Sequence, residues 1–272
     1  QYSSLDCTES DVRLARELDL PVTVHGGSAG WGKNRPIGRM HQRGLLDERT
    51  TVIHCNTLAN DELSMMADCG CSASVSPDAE IQMGFGWPAT GRLLAAGIRP
   101  SLSIDDCAAI GGDMFGSMHT ALIVQRGLDN QALENATDQT GLRLRCRDVV
   151  EFATLQGAHA CGLADRIGSL APGKEADIIL LRMDDPTVFP LNHPLGSVVG
   201  AGHPGLVDTV LVAGEIVKQN GKLVGVDLPR LRALALAARE GVMQRANANP
   251  KHAGCVTLGG CWHPSVDGFT AD

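Results

Sequence analysis

Four times in the first half of the chain, a short apolar run ends on a polar residue and gives way to a helix-forming stretch. This recurrence constrains the fold more than any other feature of the sequence. Pro21-Val22-Thr23-Val24 ends at His25, and Thr51-Val52-Ile53 ends at His54. Ser72-Ala73-Ser74-Val75 runs into Ser76-Pro77-Asp78, and the run from Pro100 to Ile104 meets Asp105-Asp106. An amphipathic stretch over 9–18 precedes the first run. Helix-forming segments follow around 39–46, from Asn60-Asp61-Glu62, over 88–96 and from Asp113. Asn, Asp and Glu suit a helix start, where free amides and the positive end of the macrodipole favour them. Gly97 supplies a stop. Short strands recurring every 25 to 30 residues or so, each followed by a helix, read as parallel βα units. In such units the chemistry collects at the carboxyl ends of the strands. The pattern therefore places His25, His54, Asp105 and the segment from Ser76 to Glu80, expected as a loop, on one rim.

The second half changes character. A helix is expected over 148–161. Gly168-Ser169-Leu170-Ala171-Pro172-Gly173-Lys174 carries turn chemistry. Two apolar strands, 176–181 and 207–212, lie beside turns at Gly214 and Asn220-Gly221, the latter a hairpin signal. A small β-region is expected here, then a helix from Pro229 to about Ala246 and an irregular tail over 247–272.

Charge and composition exclude several partners. The chain has 272 residues, a formal net charge of −8 and only 3% aromatic residues. It offers neither the basic surface nor the stacking platform that nucleic acid or an anionic membrane requires. No apolar run approaches the roughly 18 to 20 residues of a membrane span. The nine Cys are odd in number and contain no CxxC, so they are expected to be mostly buried thiols of a reduced, cytoplasmic protein. Cys69-x-Cys71 and Cys261-Trp262-His263 are too sparse to read as metal sites. The start, Gln1-Tyr2-Ser3-Ser4, has neither Met nor a signal pattern and is read as lying partway through a longer product.

Val24-His25, Val52-Ile53-His54-Cys55 and Ser101-Leu102-Ser103-Ile104-Asp105 resemble the fifth, sixth and eighth barrel strands of the metal-dependent amidohydrolase superfamily. The similar branch holds cytosine deaminase, S-adenosylhomocysteine deaminase and the triazine chlorohydrolases. Ala153 to Ala158 before Gly162-Leu163, then Gly168 to Asp177, then Val207 to Gly214 extend the resemblance. It implies an α/β fold: the C-terminal half of a (β/α)8 barrel over 1–165, part of a small β-sandwich over 166–228, and a C-terminal helix and tail over 229–272. It also implies one divalent metal, zinc or iron, held by an HxH pair on the first strand together with His25 and Asp105. His54 would contact water or substrate, and Asp105 would also accept a proton. Metal-activated water would then attack a small cyclic substrate and release amine, amide nitrogen or halide.

Two departures qualify that expectation. No HxH occurs in the chain, and the family's first four strands would precede Gln1. Deaminases of this branch carry a Glu three residues after the fifth-strand His, where this chain has Ser28. Glu80 is the candidate replacement acid, against the plainer reading of a solvated loop Glu. Trp31 and Trp87, in rim loops, are candidates to pack on a planar substrate. Lys33 and Arg35 are weaker candidates for an anionic group. The competing functional reading is non-enzymatic: an inactive remnant, or a half barrel needing a partner. Open sheet edges imply a homo-oligomer or an N-terminal half supplied from elsewhere.

Overall fold

The computed structural model describes residues 3–106, 110–133 and 142–248. The chain forms two compact units, Gln1–Lys222 and Leu223–Asp272.

The first unit opens with α1 (Leu5–Glu17), capped by Ser4, whose hydroxyl accepts from the Cys7 amide at 3.2 Å. Four strands follow: β1 (Val22–Gly26), β2 (Thr50–His54), β3 (Ser72–Val75) and β4 (Ser101–Leu102). They lie in sequence order in one parallel sheet. Gly26 pairs with His54, Ile53 with Ser74 and Val75 with Leu102, so the carboxyl ends are level. Each strand hands over to helix: α2 (Pro36–Gln42), α3 (Asn60–Asp68), α4 (Pro77–Gln82) with α5 (Thr90–Ala95), and α6 (Met114–Leu133). α7 (Cys146–Phe152) and α8 (Leu155–Ala160) complete the packing. The core joins Val52, Ala73, Val75 and Leu102 of the strands to helix residues such as Ile37, Leu63, Met118 and Phe152. The four strands form an open sheet and do not close on themselves. β1 is an edge, with Thr23 and His25 exposed, whereas β2 is buried along almost its whole length.

Local chemistry explains where the elements depart from the pattern. The segment expected as a loop from Ser76 to Glu80 is the start of α4. Pro77 sits in its first turn, where its fixed φ suits a helix and its missing N–H costs nothing. The fourth strand is shorter than 100–104. Ser103 still donates to the Val75 carbonyl at 2.9 Å, but Asp105 takes φ +59° and ends the extended run. The helix expected over 148–161 breaks at Ala153-Thr154 into α7 and α8. Asp113 caps α6 by accepting from the Gly116 amide at 3.0 Å.

A second sheet, β5 (Ile178–Leu181), β6 (Val207–Val212), β7 (Glu215–Gln219) and β8 (Lys222–Leu223), runs in that order, antiparallel across β5-β6 and β6-β7. Ile179, Leu180, Val212 and Ile216 are exposed on it. α9 (Pro194–Ala201) was not legible, since Gly196 and Gly200 weaken its helical signal. The second unit contains the single long helix α10 (Leu228–Ala248).

The expectation of mostly buried thiols is corrected. Of the six described cysteines, all free, Cys55 and Cys71 are buried, Cys69 and Cys146 half-buried, and Cys7 and Cys161 exposed. Cys107, Cys255 and the Cys261-Trp262-His263 run lie outside the described residues. No helix among the described residues is long and apolar enough to cross a membrane.

The rim is fastened by close backbone approach. After β1, a 3-10 turn (Ala29–Asn34) lies against the segment following β2. Thr57 donates from its hydroxyl to the carbonyls of Gly27 and Ala29 at 2.6 and 2.7 Å. A Cβ on Gly32 would stand 2.0 Å from the Thr57 carbonyl oxygen, whereas one on Gly30 would meet nothing within 4 Å. Gly32→Ala is therefore expected to lower stability by about 1–3 kcal/mol, the usual range for forced overpacking. Gly30→Ala is its neutral neighbour. Urea unfolding of both variants checks this, and equal midpoints would refute the clamp.

Candidate active site

Three ionisable side chains meet above the carboxyl ends of the parallel strands. His54 ends β2 with φ +74° and is followed by Cys55 with φ +62°, a conformation that L residues seldom adopt. The Cys55 amide donates to the Gly26 carbonyl at 2.9 Å, which ties this bend to β1. Asp105 also has positive φ, and its amide donates to the Ser103 hydroxyl at 3.1 Å. Backbone held in these regions costs on the order of 1–3 kcal/mol per residue, and such strain concentrates at functional sites.

The strain aims the side chains at one another. The His54 ring is buried, with its centroid 5.3 Å from that of His25 and 5.2 Å, edge-on, from that of Phe85. Its Nε2 lies 3.8 Å from Asp105 Oδ2, and its Nδ1 lies 3.1 Å from Glu80 Oε1. His25, on the edge strand, is exposed. Partial desolvation, followed by the nearby His54, holds its pKa below the usual imidazole value, while Asp105 pulls the other way. A neutral imidazole is the form that ligates metal.

Glu80 is a buried carboxylate on a helix, not a solvated loop residue. Oε1 accepts from the Ser76 amide at 2.8 Å, and Oε2 accepts from Asn56 Nδ2 at 3.0 Å. Asn56 Nδ2 also donates to the Trp87 carbonyl at 3.1 Å and to that of Gly86 at 3.4 Å. Asn56 and Phe85 are neighbours of His54 and Glu80 that the sequence did not single out, whereas Ser76 lies in the segment expected on the rim. The one available signal was Asn56, a polar side chain two residues past His54.

The remaining candidates separate. Trp31 lines a cavity of about 440 Å³ with His25, Val24 and Ile37. Trp87 lines a different cavity, of about 480 Å³, with Asn56, Arg92 and Arg143. The two indoles therefore do not share a pocket. Arg35 is engaged in a two-point bond with Asp61, whose hydrogen bond raises its pKa. That commitment leaves it poorly suited to receive an anion, and Lys33 lies on the surface. Ser28, at the position of the expected acid, is buried. Among the described residues, no group of three or more His, Cys, Asp or Glu side chains is spaced to hold a metal ion.

Comparison with known proteins places this geometry in a context. A model of the amidohydrolase family matches residues 5–217. The chain is 29% identical over 250 residues to the 5-methylthioadenosine/S-adenosylhomocysteine deaminase of Nitratidesulfovibrio vulgaris, covering 85% of this chain and 52% of that protein. It is 32% identical over 251 residues to the 5'-deoxyadenosine deaminase of Methanothermobacter thermautotrophicus, covering 87% of this chain and 56% of that protein. The crystal structure of an adenosine deaminase from Xanthomonas campestris with bound zinc superposes with a TM-score of 0.80 at 27% identity, over 89% of this chain and 56% of that one. The chain thus spans about half the length of the curated relatives it matches.

The thiol beside His54 gives a direct test of the packing. Burial pushes the Cys55 thiol far above its ordinary range and Cys71 up to about 12. Iodoacetamide on the native protein should modify Cys7 and Cys161 and spare Cys55 and Cys71 until denaturant is added. Mass-spectrometric mapping reads the outcome, and native labelling of Cys55 would contradict the buried strand end.

Proposed function

We propose that this chain, which belongs to the amidohydrolase family, supplies part of the active site of a hydrolase that cleaves a C–N bond in a small cyclic substrate. The observation that carries this reading is the convergence of His25, His54 and Asp105 at the carboxyl ends of one parallel sheet. The names of the relatives point to an adenosine-type nucleoside as the first substrate class to examine. In this reading the parallel sheet is the last four βα units of a barrel, which takes about 250 residues when whole.

Imidazole and carboxylate oxygen suit zinc, or iron, as donors. A catalytic zinc takes three protein ligands and a water, and the described residues present no such group. They do not by themselves fit the metal, and no step is derived through it. We assign His25 and Asp105 as two ligands of a set whose other donors are not among the described residues. The chain's own residues then have definite tasks. His54 Nε2 faces the rim and orients water or substrate. Asp105 takes the proton of the attacking water and returns it to the departing nitrogen, a task that Ser28 cannot share because a hydroxyl is far too weak an acid.

The incomplete donor set also favours a second reading, a half barrel that acts only with a partner. The 272-residue chain alone is expected to hold less than one tightly bound zinc and to self-associate through its open edges. Elemental analysis and light scattering decide this, and a soluble monomer with one tight zinc would overturn the shared site.

In the protein with its complete donor set, Asp105→Asn should cut ammonia release from an adenosine-type nucleoside by about 10²- to 10⁴-fold, the range for losing a positioned proton acceptor. Bound metal is measured alongside. A near-native rate would remove Asp105 from the mechanism.

A further inference from the structure

We infer that Glu80 is a positioning residue that holds a proton on His54 Nδ1, so that Nε2 presents its lone pair to the rim. It is not the acid for the leaving group. The use made of His54 rests on the hydrolase reading above, but the location of its proton does not.

Hydrogen-bond directions around Glu80 fix the proton. The Ser76 amide can only donate, so Glu80 Oε1 accepts from it at 2.8 Å. Asn56 Nδ2 lies within reach of two backbone carbonyls, those of Trp87 and Gly86, which can only accept. Those carbonyls fix the orientation of the Asn56 amide, so the atom it turns to Glu80 Oε2 at 3.0 Å is a donor. Both Glu80 oxygens are therefore acceptors before the imidazole is considered. The remaining contact, 3.1 Å from Oε1 to His54 Nδ1, is satisfied by an Nδ1–H donor. The other tautomer would set a bare nitrogen lone pair against a buried carboxylate, with no water to screen them.

The same geometry removes Glu80 from direct proton delivery. Its side chain has no exposure, both oxygens are occupied, and the His54 ring separates it from Asp105 and His25. What it does instead is choose which imidazole nitrogen faces the reaction. Asn56 extends this control, because the amide that anchors Glu80 also holds the backbone at Gly86 and Trp87.

The test uses the full chain labelled with 15N at histidine, with no substrate or metal present. Long-range 1H–15N correlation spectra distinguish a protonated from a bare ring nitrogen, and the His54 signals are identified by their loss in His54→Gln. The wild type should show the proton on Nδ1. Glu80→Ala should release it, giving a spectrum in which Nε2 gains the proton. A wild-type spectrum with Nδ1 bare, or with both ring nitrogens protonated, overturns the inference, even if Glu80→Ala fails to fold. Retention of the Nδ1 proton in a folded Glu80→Ala also overturns it. Absence of hydrolase activity would bear on the proposed function alone, since this readout involves no turnover.

Discussion

A carboxylate shut away from water must be satisfied entirely by protein, and in this molecule that demand falls on Glu80. Its partners come from three separate places: the backbone where β3 meets α4, the ring at the end of β2, and the amide just beyond that ring. Meeting them fixes α4 against the strand ends, fixes the His54 ring, and through Asn56 fixes the loop bearing Trp87. Removal of any one partner leaves a buried charge short of a bond, which typically costs several kcal/mol. The positive φ values at His54 and Cys55 are tolerated because this network and the Cys55–Gly26 bond hold the bend from both sides.

The architecture was legible in the sequence because strand length and the polar residue ending each strand are local signals. Val22 to His25, Thr51 to His54 and Ser72 to Val75 all fall within strands of the sheet. The partnership between His54 and Glu80 was not legible. It spans 26 residues and depends on Pro77 starting a helix where Ser-Pro-Asp reads as a turn. A helix there gives Glu80 a fixed direction, inward, and a loop would not. The exposure of Cys7 and Cys161 was hidden for a related reason: burial of a small thiol follows tertiary packing, which composition does not report.

A tension remains between the relatives and one side chain. Proteins named deaminases match most of this chain, yet Ser28 stands where the resemblance leads one to expect a carboxylic acid. Ser28 is itself buried. Glu80 does not fill the gap, being held behind His54. In the proposed deamination, the proton for the departing nitrogen is assigned to Asp105, which lies 3.8 Å from His54 and keeps part of its side chain exposed.

In the proposed half-barrel reading, the open sheet and the incomplete donor set have a common origin in β1. Its side chains alternate between half-buried and exposed because successive residues face opposite sides of the sheet, and no strand among the described residues pairs with its outer edge. His25 stands at the end of that strand, with a cavity along its flank lined by apolar Val24 and Ile37 and by Trp31. A strand added there in parallel would extend the sheet beyond β1 and cover that apolar flank. By the same alignment that levels the existing four strands, its carboxyl end would come beside His25. In that reading, the geometry of the parallel ladder would make completion of the sheet and completion of the donor set a single structural event.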